Sequence, residues 1–146
     1  MPDTPKFDLI VHNGNVVTVN ESFDIIANGQ VGIIDGKIAL VGTSDSAGRP
    51  PEAETVIDAH GGIIMPGLVN THTHVPMSLF RGLADDLPLD TWLNEHIFPA
   101  EAKHITPEFV KWATLLACTE MVLGGITTCC DGYFHEDAVA RAFNQF

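Results

Sequence analysis

Short runs of β-branched and other apolar residues, separated by turn-forming pairs, fill the first part of the chain. They predict strands over residues 7–11, 16–19, 30–34, 37–41 and 55–58. Asn13-Gly14 and Asp35-Gly36 lie between successive runs, and such pairs are the strongest short signals for a two-residue hairpin turn. Two hairpins of similar size predict one small antiparallel sheet. The polar, proline-containing stretch 43–54 predicts a loop.

The pattern changes at residue 62 to longer apolar elements. Residues 62–69 form a nearly continuous apolar run, which is typical of a strand buried on both faces of a parallel sheet. Thr106 is a good N-cap, and the apolar residues after it recur at helical spacing. Further elements are predicted as a short helix over 88–98, a buried strand over 126–130, and a helix from residue 136 that the chain end interrupts.

This order of elements predicts an α/β fold. Residues 1–62 form a sheet segment, and residues 63–146 supply two consecutive βα units, which suggest a parallel sheet or barrel. Two parallel strands cannot close a barrel and would leave an open edge, so we expect an incomplete chain. Met1 is interpreted as a native start, which places the expected missing part at the C-terminal end.

Composition and charge exclude several classes of protein. Apolar residues make up 45% and charged residues 18% of the chain, which is typical of a globular protein rather than a disordered one. The net charge of −12 disfavours nucleic acid and anionic membrane as partners. Neither a signal peptide nor an apolar stretch of membrane-spanning length is present, so the expected location is the cytoplasm.

Three cysteines, Cys118, Cys129 and Cys130, lack the paired spacing of a disulfide framework. We interpret them as small buried hydrophobic residues rather than as redox or metal ligands.

His72 and His74 are the candidate metal ligands. Residues i and i+2 of a strand face the same side, so both imidazoles can reach one metal ion. They follow the apolar run, at the end of the strand where barrel enzymes carry their active sites. A chain with seven histidines can contain such a pair by chance, but buried imidazoles need partners, and the position directly after an apolar strand favours the metal interpretation.

Several segments resemble the amidohydrolase superfamily. Met65-Pro-Gly-Leu-Val-Asn-Thr-His-Thr-His74 resembles its first-strand metal motif. Residues 8–14, 35–42 and 56–62 resemble its β-sandwich segment, and residues 76–93 and 97–101 resemble its deaminases that act on 5′-methylthioadenosine and S-adenosylhomocysteine. The resemblance covers essentially the whole chain. It implies that 1–62 is part of a β-sandwich and that 63–146 is the start of an incomplete (β/α)₈ barrel.

The resemblance also implies the chemistry and the site. The family uses one divalent metal, usually zinc, to deaminate a small nucleoside; His72 and His74 match two of its ligands, and Glu101 matches the acid that binds the ribose hydroxyls. The other ligands and the proton-transferring residues come from later strands, beyond residue 146. We therefore expect no catalytic residue in this chain, and expect the chain alone neither to hold zinc tightly nor to deaminate. The oligomeric state is not predicted.

Other interpretations remain open. The chain could belong to another enzyme of the superfamily, such as a guanine deaminase, a cytosine deaminase or a triazine hydrolase, or it could be an inactive relic or interaction module. Arg81 lies in an Arg-Gly pair that resembles the family, but an ion pair with Asp85 or Asp86 explains its presence equally well. Trp92 could line a purine pocket, although a core position is favoured. The remaining histidines are expected to be loop or surface residues: His12, His60, His96, His104 and His135.

Overall fold

A computed structural model describes residues 6–44 and 49–146. The chain forms two compact units, Met1–Pro66 and Gly67–Phe146, where the sequence had suggested a boundary after residue 62. Residues 45–48, part of the predicted loop, lie outside the described residues. Within the described ranges, no helix is both long enough and apolar enough to cross a membrane.

The first unit is built around one mixed sheet. Its strands are β1 (Phe7–Val17), β2 (Ile25–Ile34), β3 (Lys37–Thr43), β4 (Ala53–Asp58) and β5 (Ile63–Ile64). The order is β3-β2-β1-β4, and β5 also pairs with β1. The β1–β2 and β2–β3 pairs are antiparallel, but β4 and β5 run parallel to β1. The predicted antiparallel pairing is therefore correct for β1, β2 and β3, while β4 and β5 add two strands that run parallel to β1.

One of the two predicted hairpins is correct. Asp35 and Gly36 both have positive φ, 51° and 69°, as a type I′ turn between β2 and β3 requires. The hairpin predicted at Asn13-Gly14 is wrong, because β1 continues through it and its register with β2 shifts there. Asn13 adopts the left-handed conformation inside a bulge, which the same residue pair accommodates as easily as a turn. The chain reverses later, between Thr18 and Asp24.

The second unit alternates strands and helices. Its elements are β6 (Leu68–Thr73), a 3-10 helix (Val75–Phe80), α1 (Leu89–Thr91), a π-helical turn (Trp92–Ile97), α2 (Phe98–His104), α3 (Pro107–Leu123), β7 (Ile126–Asp131) and α4 (Glu136–Phe143). β6 and β7 pair in parallel, as expected for consecutive βα units. The Thr106 side chain accepts a hydrogen bond from the Phe109 amide at 3.1 Å, which confirms the predicted N-cap of α3.

The apolar run 62–69 is not a single strand. It breaks after Ile64 into β5 and β6, which belong to different units. Burial on both faces is also wrong for β6 in this chain, since Leu68 is 49% exposed and Val69 is 61% exposed. A sheet of two strands leaves each strand with one unpaired edge, and side chains beside that edge have no neighbouring strand to cover them.

Two predicted helix ends are also corrected. The helix expected to stop at Phe98 continues through Pro99 to His104. The wider π-helical turn ends at Ile97, two residues before Pro99, in the stretch where the proline ring would clash with a carbonyl of a regular helix. The last helix, α4, ends at Phe143 and does not run to Phe146 as predicted.

The core of the second unit forms where α3 packs against α4. Val110, Ala138 and Val139 are its buried members, surrounded by partly buried neighbours: Ile105, Phe109 and Phe143. The three cysteines are free thiols. Cys118 is buried as expected, and burial raises the pKa of its thiol. Cys130 is exposed, which corrects the prediction, because neighbouring residues of β7 face opposite sides.

Candidate metal and substrate site

The two candidate metal ligands lie together at the C-terminal end of β6. His72 is the next-to-last residue of this strand, and His74 directly follows the strand. The centroids of their rings are 5.3 Å apart in an edge-to-face arrangement, and both side chains are exposed. The structure thus brings the pair together at the strand end that the sequence indicated.

A carbonyl from the neighbouring strand end fixes the orientation of His74. Its Nδ1 atom lies 2.7 Å from the carbonyl oxygen of Gly132, which directly follows β7. Because a carbonyl oxygen only accepts hydrogen bonds, Nδ1 must carry the proton. With the proton on Nδ1, Nε2 is the nitrogen left to act as a ligand atom. A hydrogen bond from the non-ligating nitrogen to a carbonyl is the usual support of a metal-binding histidine.

Asp131, at the end of β7, joins the two strand ends and was not identified from the sequence. Its Oδ1 accepts a hydrogen bond from the Val75 amide at 2.7 Å. Its Oδ2 is buried without a hydrogen-bond partner among the described residues. Burial raises the pKa of this carboxyl group. The sequence did contain a signal for this residue. Asp131 directly follows the predicted strand 126–130, just as the histidine pair follows the apolar run 62–69.

Glu101 is buried rather than solvated. It lies on α2 with 8% of its surface exposed, and its Oε1 accepts a hydrogen bond from the Tyr133 hydroxyl at 2.5 Å. Burial, and next the hydrogen bond to Glu101, raise the pKa of Tyr133 above its ordinary value. Sequence analysis did not single out Tyr133, although it follows β7 by two residues and so lies at the same sheet edge as the histidines.

An open cleft of about 570 Å³ connects these groups. His74, Trp92, Glu101 and Tyr133 are among the residues that line it. This volume is within the range of small-molecule sites. Trp92 is half-buried, and its indole Nε1 donates to the Leu83 carbonyl at 3.3 Å, so it contributes to the cleft wall while being held by the fold.

Arg81 does not pair with Asp85 or Asp86. Its two terminal nitrogens donate to the two carboxylate oxygens of Glu120 on α3, at 3.1 and 2.7 Å. This pair lowers the pKa of Glu120. Asp85 and Asp86 were predicted because they are near Arg81 in sequence. The 3-10 helix packs against α3, however, and this packing brings Glu120 to Arg81.

The donor set fits part of a zinc site. Neutral imidazoles are ordinary zinc ligands, and the exposed pair can receive an ion from one side. Within residues 6–44 and 49–146, no three His, Cys, Asp or Glu side chains are grouped closely enough to hold a metal ion. Catalytic zinc sites usually have three protein ligands, so this chain offers a pair that needs at least one further donor.

Comparison with known proteins gives a family and several close relatives. The amidohydrolase family model matches residues 63–146, more than half of the chain. The chain is 48% identical over 137 residues to the 5-methylthioadenosine/S-adenosylhomocysteine deaminase of Syntrophobacter fumaroxidans. It is 50% identical over 138 residues to the 5′-deoxyadenosine deaminase of Methanococcoides burtonii. Each alignment covers 94% of this chain, which spans about 31% of the length of either relative.

A solved structure agrees with the sequence relatives. The crystal structure of an adenosine deaminase from Xanthomonas campestris with bound zinc is similar to this chain, with a TM-score of 0.89 and 40% sequence identity. The match covers 97% of this chain and 33% of that protein. The mixed α/β architecture, the histidine pair at the end of β6 and the matched family model lead to one assignment: this chain belongs to the amidohydrolase family.

Proposed function

We propose that this chain supplies two metal ligands and a substrate-binding acid to a zinc-dependent deaminase of 5′-modified adenine nucleosides. The substrates would be 5′-methylthioadenosine and S-adenosylhomocysteine. The support is that the relative from Syntrophobacter fumaroxidans, which is 48% identical to this chain, is named as a deaminase of these two compounds. The observation that carries the proposal is one cleft lined by both His74 and the buried carboxylate of Glu101. A metal ligand and a hydroxyl-binding acid in one cleft are what a hydrolase acting on a nucleoside needs.

In this proposal His72 and His74 hold the metal through their imidazoles. The Gly132 carbonyl keeps the proton of His74 on Nδ1 and so leaves Nε2 available as a ligand atom. When bound, zinc lowers the pKa of a coordinated water to about 7 and so provides a nucleophile at neutral pH. The net reaction replaces the amino group at C6 of the adenine ring by oxygen from water and releases ammonia.

Glu101 selects for a ribosyl substrate. A carboxylate accepts hydrogen bonds and donates none, so it suits a pair of neighbouring hydroxyl groups on a sugar. A free base such as guanine or cytosine has no such pair, and a triazine has none either. The buried acid therefore favours a nucleoside over the substrates of those other enzyme classes. Trp92 forms part of the cleft wall and offers an apolar surface to the substrate.

The remaining parts of the proposal concern the larger fold. Residues 1–62 would contribute to a β-sandwich, and β6 and β7 would be the first two strands of a (β/α)₈ barrel. Further strands would then cover the exposed Leu68 and Val69 side chains and supply the missing metal ligands and proton-transferring groups. The 146-residue chain alone would be inactive.

A chimeric enzyme, called the joined enzyme below, tests this proposal. It consists of residues 1–146 of this chain followed by the part of the Syntrophobacter fumaroxidans relative that lies after the matched region. We expect it to release ammonia from 5′-methylthioadenosine, and expect neither the isolated chain nor a His74→Ala form of the joined enzyme to do so. Replacement of His104, an exposed residue at the end of α2, by alanine is the matched control and should keep activity.

Two results would contradict the proposal. A folded, zinc-containing joined enzyme that deaminates guanine or cytosine but no adenine nucleoside would reassign the substrate. A folded joined enzyme without any deaminase activity would support the relic or interaction interpretation instead.

A further inference from the structure

We infer that Tyr133 is a positioning residue that holds Glu101 for recognition of two neighbouring hydroxyl groups on the substrate, an inference that rests on the proposed function. Nothing in the sequence motifs or the family match assigns a role to Tyr133. It is the only tyrosine in the chain. Its position two residues after β7 places it in the same cleft as His74 and Glu101.

The hydrogen bond between Tyr133 and Glu101 has only one possible direction while the carboxylate is ionised. The hydroxyl donates to Oε1 over 2.5 Å, and the carboxylate accepts. Among the described residues, no other side chain donates to Glu101. This single contact therefore decides which way the carboxylate is turned inside a largely buried environment.

Tyr133 is itself held firmly. Its backbone amide donates to Oε1 of Glu136 at the start of α4, and its ring makes an edge-to-face contact with Phe134 at a centroid distance of 5.1 Å. The preceding residue, Gly132, binds the Nδ1 atom of His74 through its carbonyl. Two consecutive residues after β7 thus fix a proposed metal ligand and the proposed substrate-binding acid.

This arrangement links substrate recognition to the metal side of the cleft. If the loop that follows β7 sets both groups, the distance between the His74 imidazole and the Glu101 carboxylate is determined by one short segment. Removal of the Tyr133 hydroxyl should therefore weaken binding of the sugar without removing His74 or the metal. The effect should depend on whether the substrate has the hydroxyl pair.

The first test compares two substrates in the joined enzyme: 5′-methylthioadenosine and its 2′,3′-dideoxy analogue. Loss of one hydrogen bond to a charged group costs about 10-fold or more in kcat/KM. We expect Tyr133→Phe to lose that factor on 5′-methylthioadenosine, mainly through KM, and to leave the dideoxy analogue within about twofold. Glu101→Gln should show the same selectivity, and Thr119→Val, which removes a hydroxyl that binds the Leu115 carbonyl on α3, should change neither substrate.

Equal loss on both substrates in Tyr133→Phe would overturn the inference, because that is the result of a merely structural role. Unchanged discrimination between the two substrates would overturn it as well. A wild-type joined enzyme that turns over neither nucleoside would refute the proposed function itself, and this outcome is distinct from a selective failure of Tyr133.

A second test needs no activity. Because Tyr133 is the only tyrosine, tyrosinate absorbance of the 146-residue chain reports this residue alone. Glu101→Gln should lower the midpoint of that titration relative to wild type, since a neutral amide no longer opposes ionisation of the hydroxyl. Glu95→Gln, at an exposed position of the π-helical turn, is the control and should leave the midpoint unchanged. An unchanged midpoint in Glu101→Gln would overturn the inference.

Discussion

The Nδ1 atom of His74 lies 2.7 Å from the carbonyl oxygen of Gly132, so a residue after β7 orients a residue after β6. The contact needs the parallel pairing of these two strands, which brings their C-terminal ends to one edge. It also fixes the tautomer of the ring, because the carbonyl can only accept. A nitrogen with a free lone pair is thereby presented at the strand end before any metal is bound.

Zinc content should depend on each histidine of the pair and on donors outside this chain. We expect the isolated 146-residue chain to lose zinc during gel filtration, because two imidazoles fall short of the three protein ligands that catalytic zinc usually has. In the joined enzyme, His72→Ala and His74→Ala should each lose the metal, whereas His104→Ala should retain it. Metal analysis after dialysis measures this, and stoichiometric zinc in either of the first two variants would contradict the ligand assignment.

The pKa of Tyr133 should make the chain less stable in alkali. The folded-state pKa is raised above the ordinary value of about 10, so the folded chain binds more protons than the unfolded chain once the pH exceeds that value. The stability that Tyr133 contributes is complete below about pH 10 and is lost as the pH rises toward the folded pKa. Tyr133→Phe has no such group, so it should lose less stability in this range.

Urea unfolding at about pH 9 and about pH 11 measures the difference. Because all other titrating groups are common to the two proteins, the comparison isolates Tyr133. An equal loss of stability in wild type and Tyr133→Phe would show that the hydroxyl is not buried in solution.

Gly67 should tolerate no side chain. A Cβ atom at this position would contact the side chain of Thr127 and lie 2.7 Å from its Cβ atom, closer than such atoms approach in proteins. We expect Gly67→Ala to lower the free energy of unfolding by about 1–3 kcal/mol, because β6 and β7 would have to move apart. Gly42→Ala is the matched control, because among the described residues no atom apart from those of its chain neighbours lies within 4 Å of the added Cβ. Equal stability of the two variants would contradict the close approach of these strands.

The cap at the start of α3 should contribute measurably to stability. Replacing Thr106 by alanine removes the side-chain oxygen that accepts from the Phe109 amide, which we expect to cost about 1 kcal/mol. Thr106→Ser keeps an equivalent oxygen and should remain close to wild type. Thermal unfolding followed by circular dichroism compares the three proteins. A Thr106→Ala protein that melts with wild type would show that the cap makes no net contribution.

Local signals predicted the elements well where one local interaction decides the structure. Thr106 caps α3 through its own side chain, and Asp35-Gly36 turns the chain because both residues adopt positive φ. Asn13-Gly14 carried the same kind of signal but lies in a bulge. That outcome depends on the strands that pair with β1 on either side, and no residue near Asn13 reports them.

The same distinction applies to the candidate site. The i, i+2 spacing of His72 and His74 after an apolar run sufficed to predict that their rings lie together at a strand end, because strand geometry alone puts them on one side. The partner of Arg81 could not be predicted in this way. Glu120 is far from it in sequence and reaches it only because the 3-10 helix packs against α3.

The sequence by itself determined the alternation of strands and helices, the cap of α3 and the histidine pair, since each depends on the periodicity or chemistry of neighbouring residues. Only the tertiary structure decided that Glu101 is buried beneath the Tyr133 hydroxyl, that Gly132 orients His74, and that Asp131 joins two strand ends. These contacts join residues separated by 32 to 58 positions. They exist because parallel pairing of β6 with β7 gathers strand ends and the following loops at one edge. The order of elements along the chain predicted that pairing, but no local pattern predicted which side chains and carbonyls meet across it.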